Sequence, residues 1–520
     1  MKTAFVPLEQ TGLFSKLVTD YISNSGKIID FYGQKPTVQG FATAIDQRLF
    51  EDSFRKELVT ILKEQYRNLQ PDQTTLNNLD ALKKSKTFTV TTGHQLNIFT
   101  GPLYFIYKIV TTINLALRLK QEFPDNHFVP VYWMASEDHD FDEINHTFVS
   151  GEKVVWHSDQ KGAVGRFSTK GLEELSGKLP GQANIFRQAY QNSTTLSEAV
   201  RRYVNDLFKE TGLVVIDADD HRFKRKFVEI MKDDLLHHTA YELVIKQSEN
   251  LKSKNYRAQL SPREINLFYL KDQLRERLVQ KDVHFNVNGT SITFTKDELL
   301  QELESHPERF SPNVILRPVY QETILPNLAY IGGPSEIAYW MQLKSVFEKY
   351  KVDYPILIPR NFVLYIPSFL LKKIRKLGLE WHEIFEETNN LLKHYVKKQV
   401  NGSYQLGDQK EQLSRAYDDI LIIAGQVDVT LESHIRAEQK RVINSIKVIE
   451  NKILKAEKRK HQTEANMIRS VREKLFPKGQ PQERIDNILG IYESNFIGEL
   501  LEKLDPLDFR YHVLFSGSDD

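Results

Sequence analysis

The sequence predicts an α/β protein in which a parallel sheet is covered by helices on both faces and is followed by a helical C-terminal third. Two observations support this prediction. Near-continuous apolar runs alternate with helical patterns through the first 370 residues, which is typical of parallel strands buried on both faces. No proline occurs between Pro367 and Pro477, although the chain has 19 prolines, and apolar residues recur there every seven positions, as in a coiled coil.

The clearest part of the predicted sheet is a strand, a turn, a helix and a second strand. Residues 87–92 are rich in β-branched side chains and end at Gly93, which indicates a strand followed by a turn. A helical pattern over 103–119 follows a Gly-Pro pair, and proline is favoured where a helix begins. Residues 128–134 form the next apolar run, so this segment predicts a βαβ unit.

Further strands and two insertions complete the predicted core, residues 1–370. The stretches 147–210 and 225–312 interrupt the alternation, and we interpret them as insertions. The second contains Asn288-Gly289 inside an alternating run over 284–294, which is a hairpin signal. The pattern also predicts strands at 213–217, 313–318 and 354–359, and a helix at 336–350.

Residues 371–476 predict an antiparallel helical coiled coil. Apolar residues at 435, 442, 449 and 456 are spaced by seven and define a short seam. We expect a first helix to end near 401–402, a second to run over 411–476, and 477–520 to return to the core. The run 452–460 carries five positive charges; it is either a solvated helix face or a contact for an anionic ligand, a nucleotide or a partner.

The composition excludes several classes of protein. The 520 residues are 40% hydrophobic and 27% charged, with a formal net charge of +1, which argues against disorder and against a globally basic nucleic-acid binder. Cysteine is absent, so disulfides, cysteine zinc sites, iron–sulfur clusters and a cysteine nucleophile are excluded. The absence reflects chance or lineage, or else a protein that handles reactive thiols without being trapped in mixed disulfides.

The N-terminus and the apolar runs predict a cytoplasmic protein. Pro7 and Glu9 come too early for the apolar region of a signal peptide. The apolar run 363–371 is about half the length that spanning a membrane requires, and it contains Pro367.

The first candidate site lies at the end of the first strand of the βαβ unit, over residues 91–95. The turn after such a strand directs backbone N–H groups towards the crevice beyond the strand ends, and the following helix adds its positive dipole end. Gly93 allows a phosphate to approach the main chain, and His94 can donate to phosphate oxygens. The dinucleotide fingerprint and the P-loop are both absent. A turn glycine beside a surface histidine is the alternative interpretation.

The second candidate site is the acidic motif of residues 137–140 (Glu-Asp-His-Asp), at the end of the second strand. Open parallel sheets bind ligands at this edge. The roles open to the motif are capture of an ammonium group, contact with ribose hydroxyls, and general acid–base catalysis by His139. A metal is a minor alternative, because no metal-ligand spacing is present, and we predict no structural metal.

The third candidate site is the segment 332–340, at the start of the helix predicted over 336–350. Gly332 and Gly333 leave a gap beside Ser335, a candidate N-cap. Side chains of the first helical turns then lie within reach of a ligand at the sheet edge. Trp340 is interpreted equally well as an anchor of the core.

Four motifs, in this order along the whole chain, resemble the BshC family, the cysteine ligases of bacillithiol biosynthesis. The first motif reads Thr-Gly-His-Gln-Leu here, where the family more often has T-G-Q-Q-P. The motifs are residues 92–95 with 100–104 and 107–108, residues 133–140 with 145–146, residues 333–340 with 343–344, and residues 475–484.

The resemblance implies a fold and a reaction. The fold is a Rossmann-type core with two connecting-peptide insertions, similar to class I aminoacyl-tRNA synthetases, plus a coiled coil used for homodimerisation. The reaction is the ATP-driven addition of cysteine to the amine of glucosaminyl-malate, the last step of bacillithiol biosynthesis. By the logic of class I enzymes, ATP with Mg²⁺ would activate cysteine as an adenylate. The HIGH and KMSKS strings of those synthetases are absent.

The candidate segments and two arginines at predicted strand ends, Arg317 and Arg360, supply three sets of candidate site residues. The catalytic set is Asp138, His139 and His94, with His139 as the base. The nucleotide-binding set is Thr92, Gly93, His94, Gln95, Gly332 and Gly333. The substrate-binding set is Glu137 and Asp140 for an ammonium group, Arg317 and Arg360 for the malate carboxylates, and Glu336, Tyr339 and Trp340.

Two other functions stay open on the sequence alone. One is a nucleotide-binding scaffold that recruits partners through the coiled coil. The other is a metal-dependent hydrolase that uses His139, His146 and nearby acids. We expect cysteine and glucosaminyl-malate as substrates, a homodimer, and neither a nucleic acid nor a membrane as partner.

Overall fold

The computed structural model describes residues 1–399, 406–491, 493 and 495–516. The chain forms two compact units. The first consists of Met1–Glu9, Leu13–Leu364 and Gln480–Leu514, and the second of Gln10–Gly12, Tyr365–Gly479 and Phe515–Asp520.

The strands fall mainly in the first unit, and in the described residues they form two five-stranded sheets, one of them central, a three-stranded sheet and a two-stranded sheet. In chain order they are β1 (Lys2–Val6), β2 (Thr87–His94), β3 (His127–Met134), β4 (His146–Val149), β5 (Glu152–Val155), β6 (Val214–Asp217), β7 (Leu267–Lys271), β8 (Leu274–Lys281), β9 (His284–Val287), β10 (Thr293–Phe294), β11 (Phe310–Pro312), β12 (Asn327–Gly332), β13 (Ile356–Pro359), β14 (Phe362–Ile366) and β15 (Tyr511–Phe515).

Helices precede the central sheet, connect its strands and make up most of the second unit. They are α1 (Leu8–Thr11), α2 (Lys16–Ile22), α3 (Val38–Gln47), α4 (Asp52–Gln65), α5 (Gln73–Ala81), α6 (Tyr104–Glu122), α7 (Phe141–Ile144), α8 (Leu172–Ser176), α9 (Asn184–Gln191), α10 (Leu196–Leu207), α11 (His221–Arg225), α12 (Val228–His237), α13 (Thr239–Ser253), α14 (Lys296–Ser305), α15 (Leu316–Ile324), α16 (Pro334–Trp340), α17 (Lys344–Tyr350), α18 (Ser368–Leu377), α19 (Thr388–Gln399), α20 (Gly407–Val427), α21 (Leu431–Lys460), α22 (Gln462–Leu475) and α23 (Phe496–Lys503).

The central sheet is parallel, with the order β13-β12-β2-β3-β6. Its middle strand β2 is buried along all but its last residue, which explains the near-continuous apolar and β-branched run. Helix α6 connects β2 to β3 and packs on both, so the predicted βαβ unit is confirmed. The register pairs Gly93 with Trp133, and Met134 with Asp217. The ends of neighbouring strands therefore meet at one edge of the sheet.

The strand predicted at 313–318 is wrong. The chain forms the short strand β11 just before this segment and then enters helix α15. Asn313 decides the outcome locally, because its side-chain oxygen accepts from the backbone N–H groups of Ile315 (2.8 Å) and Leu316 (3.4 Å). Pro318 is tolerated because the first turn of a helix needs no N–H donor. The missing strand of the sheet is β12, which the sequence analysis did not assign.

The two predicted insertions contain separate small sheets. The first carries the β4–β5 hairpin and helices α8 to α10. The second carries an antiparallel sheet with the order β10-β9-β8-β7-β11. The hairpin predicted around Asn288-Gly289 is confirmed, since Thr293 pairs with Asn286 across it.

Two long helical patterns are divided in the structure. The pattern over 336–350 forms α16 and α17. The single helix predicted over 411–476 is wrong, because the chain reverses at 428–430 and the antiparallel pair is α20 with α21. The Asp428 carboxylate accepts from the backbone N–H and the hydroxyl of Thr430, both at 2.8 Å, which stabilises the turn. The turn predicted at 401–402 lies outside the described residues.

Candidate active site

A cluster of buried charges lies where β2 and β12 end. Lys108 of α6 forms an ion pair with Glu336 of α16 at 2.5 Å and donates to the carbonyl oxygen of Gly93 at 2.9 Å. Glu336 also accepts from the Tyr330 hydroxyl (2.6 Å) and the Gly333 N–H (2.7 Å). Burial raises the pKa of Glu336, but these three donors together hold it below its ordinary value. Glu336, predicted to bind substrate, is therefore an ionised carboxylate whose hydrogen-bond donors come from the protein itself.

Arg317 lies in the same cluster and is half-buried. Burial opposes its charge, but Tyr339, Tyr330 and Glu336 together hold the pKa of Arg317 above its ordinary value. Within the described part of the chain, its guanidinium donates to the Gln321 side chain (3.2 Å) and the Tyr339 hydroxyl (3.4 Å). Among the described residues, no carboxylate lies within ion-pair distance of it. A Cβ at Gly93 would lie 3.5 Å from an Arg317 guanidinium nitrogen, so the arginine points at the end of β2. A half-buried cation with no carboxylate in direct contact can still gain from a bound anion, which makes this position suited to an anionic ligand.

Arg360, predicted to share that role, is already neutralised. Its guanidinium forms two parallel bonds with the Glu483 carboxylate, at 2.8 and 2.7 Å. The two side chains are 2% and 4% exposed, and the Arg360 backbone N–H donates to Gly332. A bidentate pair of this kind satisfies both partners. Arg360 therefore joins the C-terminal segment to the end of β12.

His94 lies between the rings of Tyr104 and Phe105, with centroids 5.2 and 5.3 Å away. Burial, with Lys108 nearby, lowers the pKa of His94 to about 3, against the opposing effect of Glu336. The imidazole is therefore neutral near pH 7. Its Nε2 is buried without a hydrogen-bond partner among the described residues. A neutral ring with an unused nitrogen can contact a ligand oxygen as a donor, but it brings no positive charge.

The acidic loop after β3 is held by cations from distant elements. Lys224 of α11, which is fully buried, pairs with Glu137 and donates to the carbonyl oxygen of Phe310 at 2.7 Å. Glu137 is therefore not free for an ammonium ligand. Asp140 is exposed and, within the described part of the chain, has no cationic partner.

The Asp138 carboxylate accepts hydrogen bonds from its own loop, from the end of β2 and from β8. It accepts from the Gln95 side chain at 2.9 Å, from the His139 backbone N–H at 2.8 Å and from Arg275 at 3.4 Å. Burial raises the pKa of Asp138, but His139, Arg275 and Gln95 outweigh it and hold the pKa well below its ordinary value. Gln95 follows β2, so it connects the two candidate motifs across adjacent strands.

A turn of the first insertion covers this loop. Val164 and Gly165 donate backbone N–H groups to the carbonyl oxygens of Asp138 (2.7 Å) and Ser136 (2.8 Å). Arg166 forms a two-point bond with Asp219, at 2.8 and 3.0 Å. Burial and the neighbouring Glu137 raise the pKa of Asp219 to about 6, against the effect of Arg166.

Three of the remaining candidates have structural roles. Thr92 is buried and its hydroxyl donates to the carbonyl oxygen of Ile331 at 2.9 Å. Trp340 is fully buried and stacks on Tyr330 at 4.4 Å, which is the core alternative considered for it. Gly332 allows close packing, since a Cβ there would lie 3.1 Å from the Cβ of Glu336.

Several charged partners of the candidate site residues were not predicted from the sequence. Lys108 and Glu483 lie in motifs of the resemblance but were given no role, and no sequence feature marks Arg166, Lys224 or Arg275. Within the described residues, no three His, Asp or Glu side chains are placed to hold a metal ion. None of the described helices is both long and apolar enough to cross a membrane.

Fold and site define a Rossmann-like α/β protein with a polar cluster at the carboxyl edge of its parallel sheet and an antiparallel helical C-terminal unit. The chain belongs to the BshC family of bacillithiol biosynthesis. Residues 1–361 match the family's N-terminal Rossmann-like domain, and residues 363–516 match its C-terminal coiled-coil domain. The fold class and the family predicted from the sequence are confirmed.

Curated relatives extend over the whole chain and carry the name "Putative cysteine ligase BshC". Those from Flavobacterium johnsoniae and Christiangramia forsetii are 40% and 39% identical, over 99% of this chain and 100% of each relative. One from Chlorobaculum tepidum is 32% identical over 96% of both chains. A solved "putative arginyl t-RNA synthetase" from Campylobacter jejuni matches at 10% identity over 85% of this chain and all of its own, with a TM-score of 0.21. A score this low supports no argument about fold.

Proposed function

We propose that this protein is an ATP-dependent ligase that joins L-cysteine to the amine of glucosaminyl-malate, the last step of bacillithiol biosynthesis, in the cytoplasm. Family membership and the names of the full-length relatives support a cysteine ligase. The substrate, the use of ATP and the order of steps are our proposal.

The observation that carries the proposal is Arg317. It is a half-buried guanidinium at the end of the central strand, with two neutral hydrogen-bond partners and, among the described residues, no carboxylate in ion-pair contact. Malate offers two carboxylates, and ATP and its products offer phosphates; a planar guanidinium binds either in a bidentate way. Since Arg360 is already paired with Glu483, we assign the anion of the substrate to Arg317 alone.

Asp140 is the best candidate for the ammonium group of cysteine. Of the three acidic residues in the loop, Glu137 pairs with Lys224, and Asp138 pairs with Arg275. Asp140 is exposed and has neither partner. Capture of cysteine through its ammonium leaves its carboxylate free for activation.

We propose activation of cysteine by adenylation. The carboxylate oxygen attacks the α phosphorus of ATP, pyrophosphate leaves, and the sugar amine then attacks the carbonyl carbon and displaces AMP. The protein supplies position and charge stabilisation. Neutral His94 is suited to donate to a phosphate oxygen. Gly93 and Gly333 leave room for the phosphates to approach, although the Gly333 N–H itself already donates to Glu336. Mg²⁺ would enter with ATP, because the loop carboxylates Glu137 and Asp138 already have partners. No P-loop lysine is present to stabilise γ-phosphoryl transfer.

Isotope exchange tests the reaction. Purified protein with Mg²⁺ and cysteine should incorporate labelled pyrophosphate into ATP without the sugar substrate. Release of ADP and phosphate coupled to amide formation would contradict adenylation and keep the ligase. No nucleotide turnover with all substrates present would contradict the ligase and favour the scaffold considered above.

We also propose a homodimer through the hairpin formed by α20 and α21. No residue of α20 is buried. Three of its large apolar side chains are mostly exposed: Ile422 by 65%, Ile423 by 64% and Val427 by 80%. Contiguous apolar exposure of this kind is typical of protein interfaces. A second copy of the same hairpin is the occupant that the seven-residue spacing favours.

A further inference from the structure

We infer that Arg275 is a positioning residue that sets the tautomer of His139, so that His139 acts as a hydrogen-bond donor and not as a base. Arg275 lies on β8 in the second insertion, and His139 lies in the acidic loop, 136 residues earlier in the chain. The assignment of the tautomer stands on geometry alone. Its consequence for catalysis rests on the proposed ligase function.

The guanidinium of Arg275 is held from several sides. One terminal nitrogen, Nη1, lies 2.7 Å from Nδ1 of His139 and 3.4 Å from Asp138. Nε and Nη2 donate to the Ser311 hydroxyl at 3.4 and 3.3 Å. The guanidinium carbon lies 3.9 Å from the centre of the Phe268 ring, and the side chain is 7% exposed. Its orientation towards His139 is therefore set by packing.

The chemistry of the contact decides the tautomer. A guanidinium has five N–H donors and no lone pair that can accept. At 2.7 Å, Nδ1 of His139 must therefore be the acceptor, because an Nδ1–H would place two hydrogens between the two nitrogens. A neutral imidazole carries its one hydrogen on the other nitrogen. His139 is therefore the Nε2–H tautomer.

Asp138 is the group that would favour the opposite tautomer. One of its oxygens lies 3.4 Å from Nδ1 of His139, which is longer than the contact with Arg275. That carboxylate already accepts from the His139 backbone N–H and from Gln95. The Asp138 carboxylate is therefore satisfied without the imidazole hydrogen, and Nδ1 of His139 accepts from Arg275.

The consequence is a change in the role of His139. Its side chain is 44% exposed, and among the described residues Nε2 has no hydrogen-bond partner. A general base needs a lone pair on the nitrogen that faces the substrate, and here that nitrogen carries the hydrogen. His139 is therefore suited to donate to a phosphate, carboxylate or carbonyl oxygen of the substrate.

Nitrogen NMR tests the tautomer without any substrate. Full-length protein with ¹⁵N-labelled histidine is measured at pH 8.5, well above the ordinary histidine pKa of about 6.5, and the His139 signal is assigned by its loss in His139→Gln. We expect the Nε2–H pattern in the wild type and mixed tautomers in Arg275→Met. The matched control is Arg277→Met, an exposed arginine on the same strand, which should leave the pattern unchanged.

Two outcomes would overturn the inference: an Nδ1–H pattern in the wild type, or an Nε2–H pattern that persists unchanged in Arg275→Met. If Arg275→Met does not fold, the wild-type spectrum still decides between the two tautomers.

A kinetic comparison tests the consequence. Because Arg275 acts through His139, the double variant Arg275→Met/His139→Ala should be no worse than His139→Ala alone. His139→Gln, which still donates but cannot serve as a base, should stay within about tenfold of wild-type kcat, whereas a lost base costs about 100-fold or more. Equal losses in His139→Gln and His139→Ala, or additive effects, would contradict the donor role. Wild-type protein without any ligase activity would refute the proposed function and leave the tautomer result standing.

Discussion

At the scale of single residues, two arginines with the same predicted role differ in their partners. Arg360 is neutralised by Glu483 in a buried two-point bond, whereas Arg317 has only neutral acceptors. Arg317 is half-buried, and a bound anion would supply the charged partner that it lacks in the free protein. Such a residue gains a charged partner only when the anion binds, so it contributes to binding and not to the stability of the ligand-free protein.

Arg317→Met should therefore weaken substrate use without harming the fold. We expect kcat/KM for glucosaminyl-malate to fall by about 10- to 100-fold, because a hydrogen bond to a charged group contributes about 1.5–3 kcal/mol. The melting temperature should change little, because the guanidinium is half-buried and makes no direct ion pair among the described residues. Steady-state kinetics and thermal melting measure the two effects, with Arg317→Lys as the conservative comparison. Wild-type kinetics in Arg317→Met would exclude this arginine from the binding site.

At the scale of elements, the turn at 162–166 joins the first insertion to the acidic loop. Gly162 has a φ of +88°, and a Cβ there would lie 2.8 Å from the backbone nitrogen of Leu274. A Cβ at Gly165 would lie 2.5 Å from the Cβ of Ser136. Only glycine allows this backbone to lie so close to the loop that carries Asp138.

Gly165→Ala should displace the acidic loop. We expect a loss of about 1–3 kcal/mol in the free energy of unfolding, as for overpacking in general, and at least a tenfold loss of ligase activity, because Asp138 moves with Ser136. Gly181→Ala is the matched control, since no atom lies within 4 Å of its added Cβ. Urea unfolding and a ligase assay check both variants. If Gly165→Ala behaves like Gly181→Ala, the turn does not position the loop.

The second element with a testable role is the hairpin of α20 and α21. Lys410 and Glu450 bridge its two helices at 2.6 Å, and Gln439 donates to the Ser414 hydroxyl at 3.1 Å. These polar contacts set the antiparallel pairing but leave the apolar side chains near the 428–430 turn exposed. The 30 residues of α21 span about 45 Å at 1.5 Å per residue, half of what a single helix over 411–476 would span.

Ile422→Glu combined with Ile423→Glu should disrupt the homodimer. We expect the wild type to sediment as a dimer and the double variant as a monomer, because four charges would have to be buried in the interface. Gln426→Glu, in the same helix at an exposed polar position, should stay dimeric and controls for added charge. Sedimentation velocity at equal concentrations measures the difference. A dimer that survives the double substitution would place the interface elsewhere.

At the scale of the whole molecule, stability should depend on pH through buried carboxyl groups. Glu322 is 2% exposed and accepts from Gln321 and Asn327, both at 2.8 Å. Burial, against the effect of Arg48, raises the pKa of Glu322 from 4.5 to about 7. Burial likewise raises the pKa of Asp234 to about 7. Both groups bind protons more tightly in the folded state, so stability falls as pH rises from about 4.5 to 7.

Glu322→Gln should reduce that fall. A shift of 2.5 pKa units, from 4.5 to about 7, corresponds to roughly 3 kcal/mol at pH 8. Relative to the variant, the wild type should lose about that amount between pH 4 and pH 8, measured by urea unfolding at four pH values. Asp234 still titrates in Glu322→Gln, so the variant keeps part of the slope. Parallel curves for the two proteins would show that Glu322 is ionised throughout.

The central part of the fold was predictable because its signals are local. The β-branched run before Gly93 and the apolar run after α6 each reveal a buried strand without reference to the rest of the chain. The strand predicted at 313–318 was wrong because a local signal is ambiguous there: a short buried helix and a short buried strand have similar sequences. There the side chain of Asn313 starts a helix. The reversal at 428–430 had a weak signal, an aspartate with β-branched neighbours inside a long helical pattern.

By itself, the sequence determined the α/β class, the family, and the motifs at the ends of β2, β3 and β12, because local pattern and motif order are properties of the chain. Only the tertiary structure decided which charges are paired. Lys224 reaches Glu137 across 87 residues, Glu483 reaches Arg360 across 123, and Arg275 reaches Asp138 across 137. An ion pair depends on distance and burial in space, and residues so far apart meet only after folding has brought their elements together. That is why Arg317 and Arg360 look alike in the sequence and differ in the folded protein.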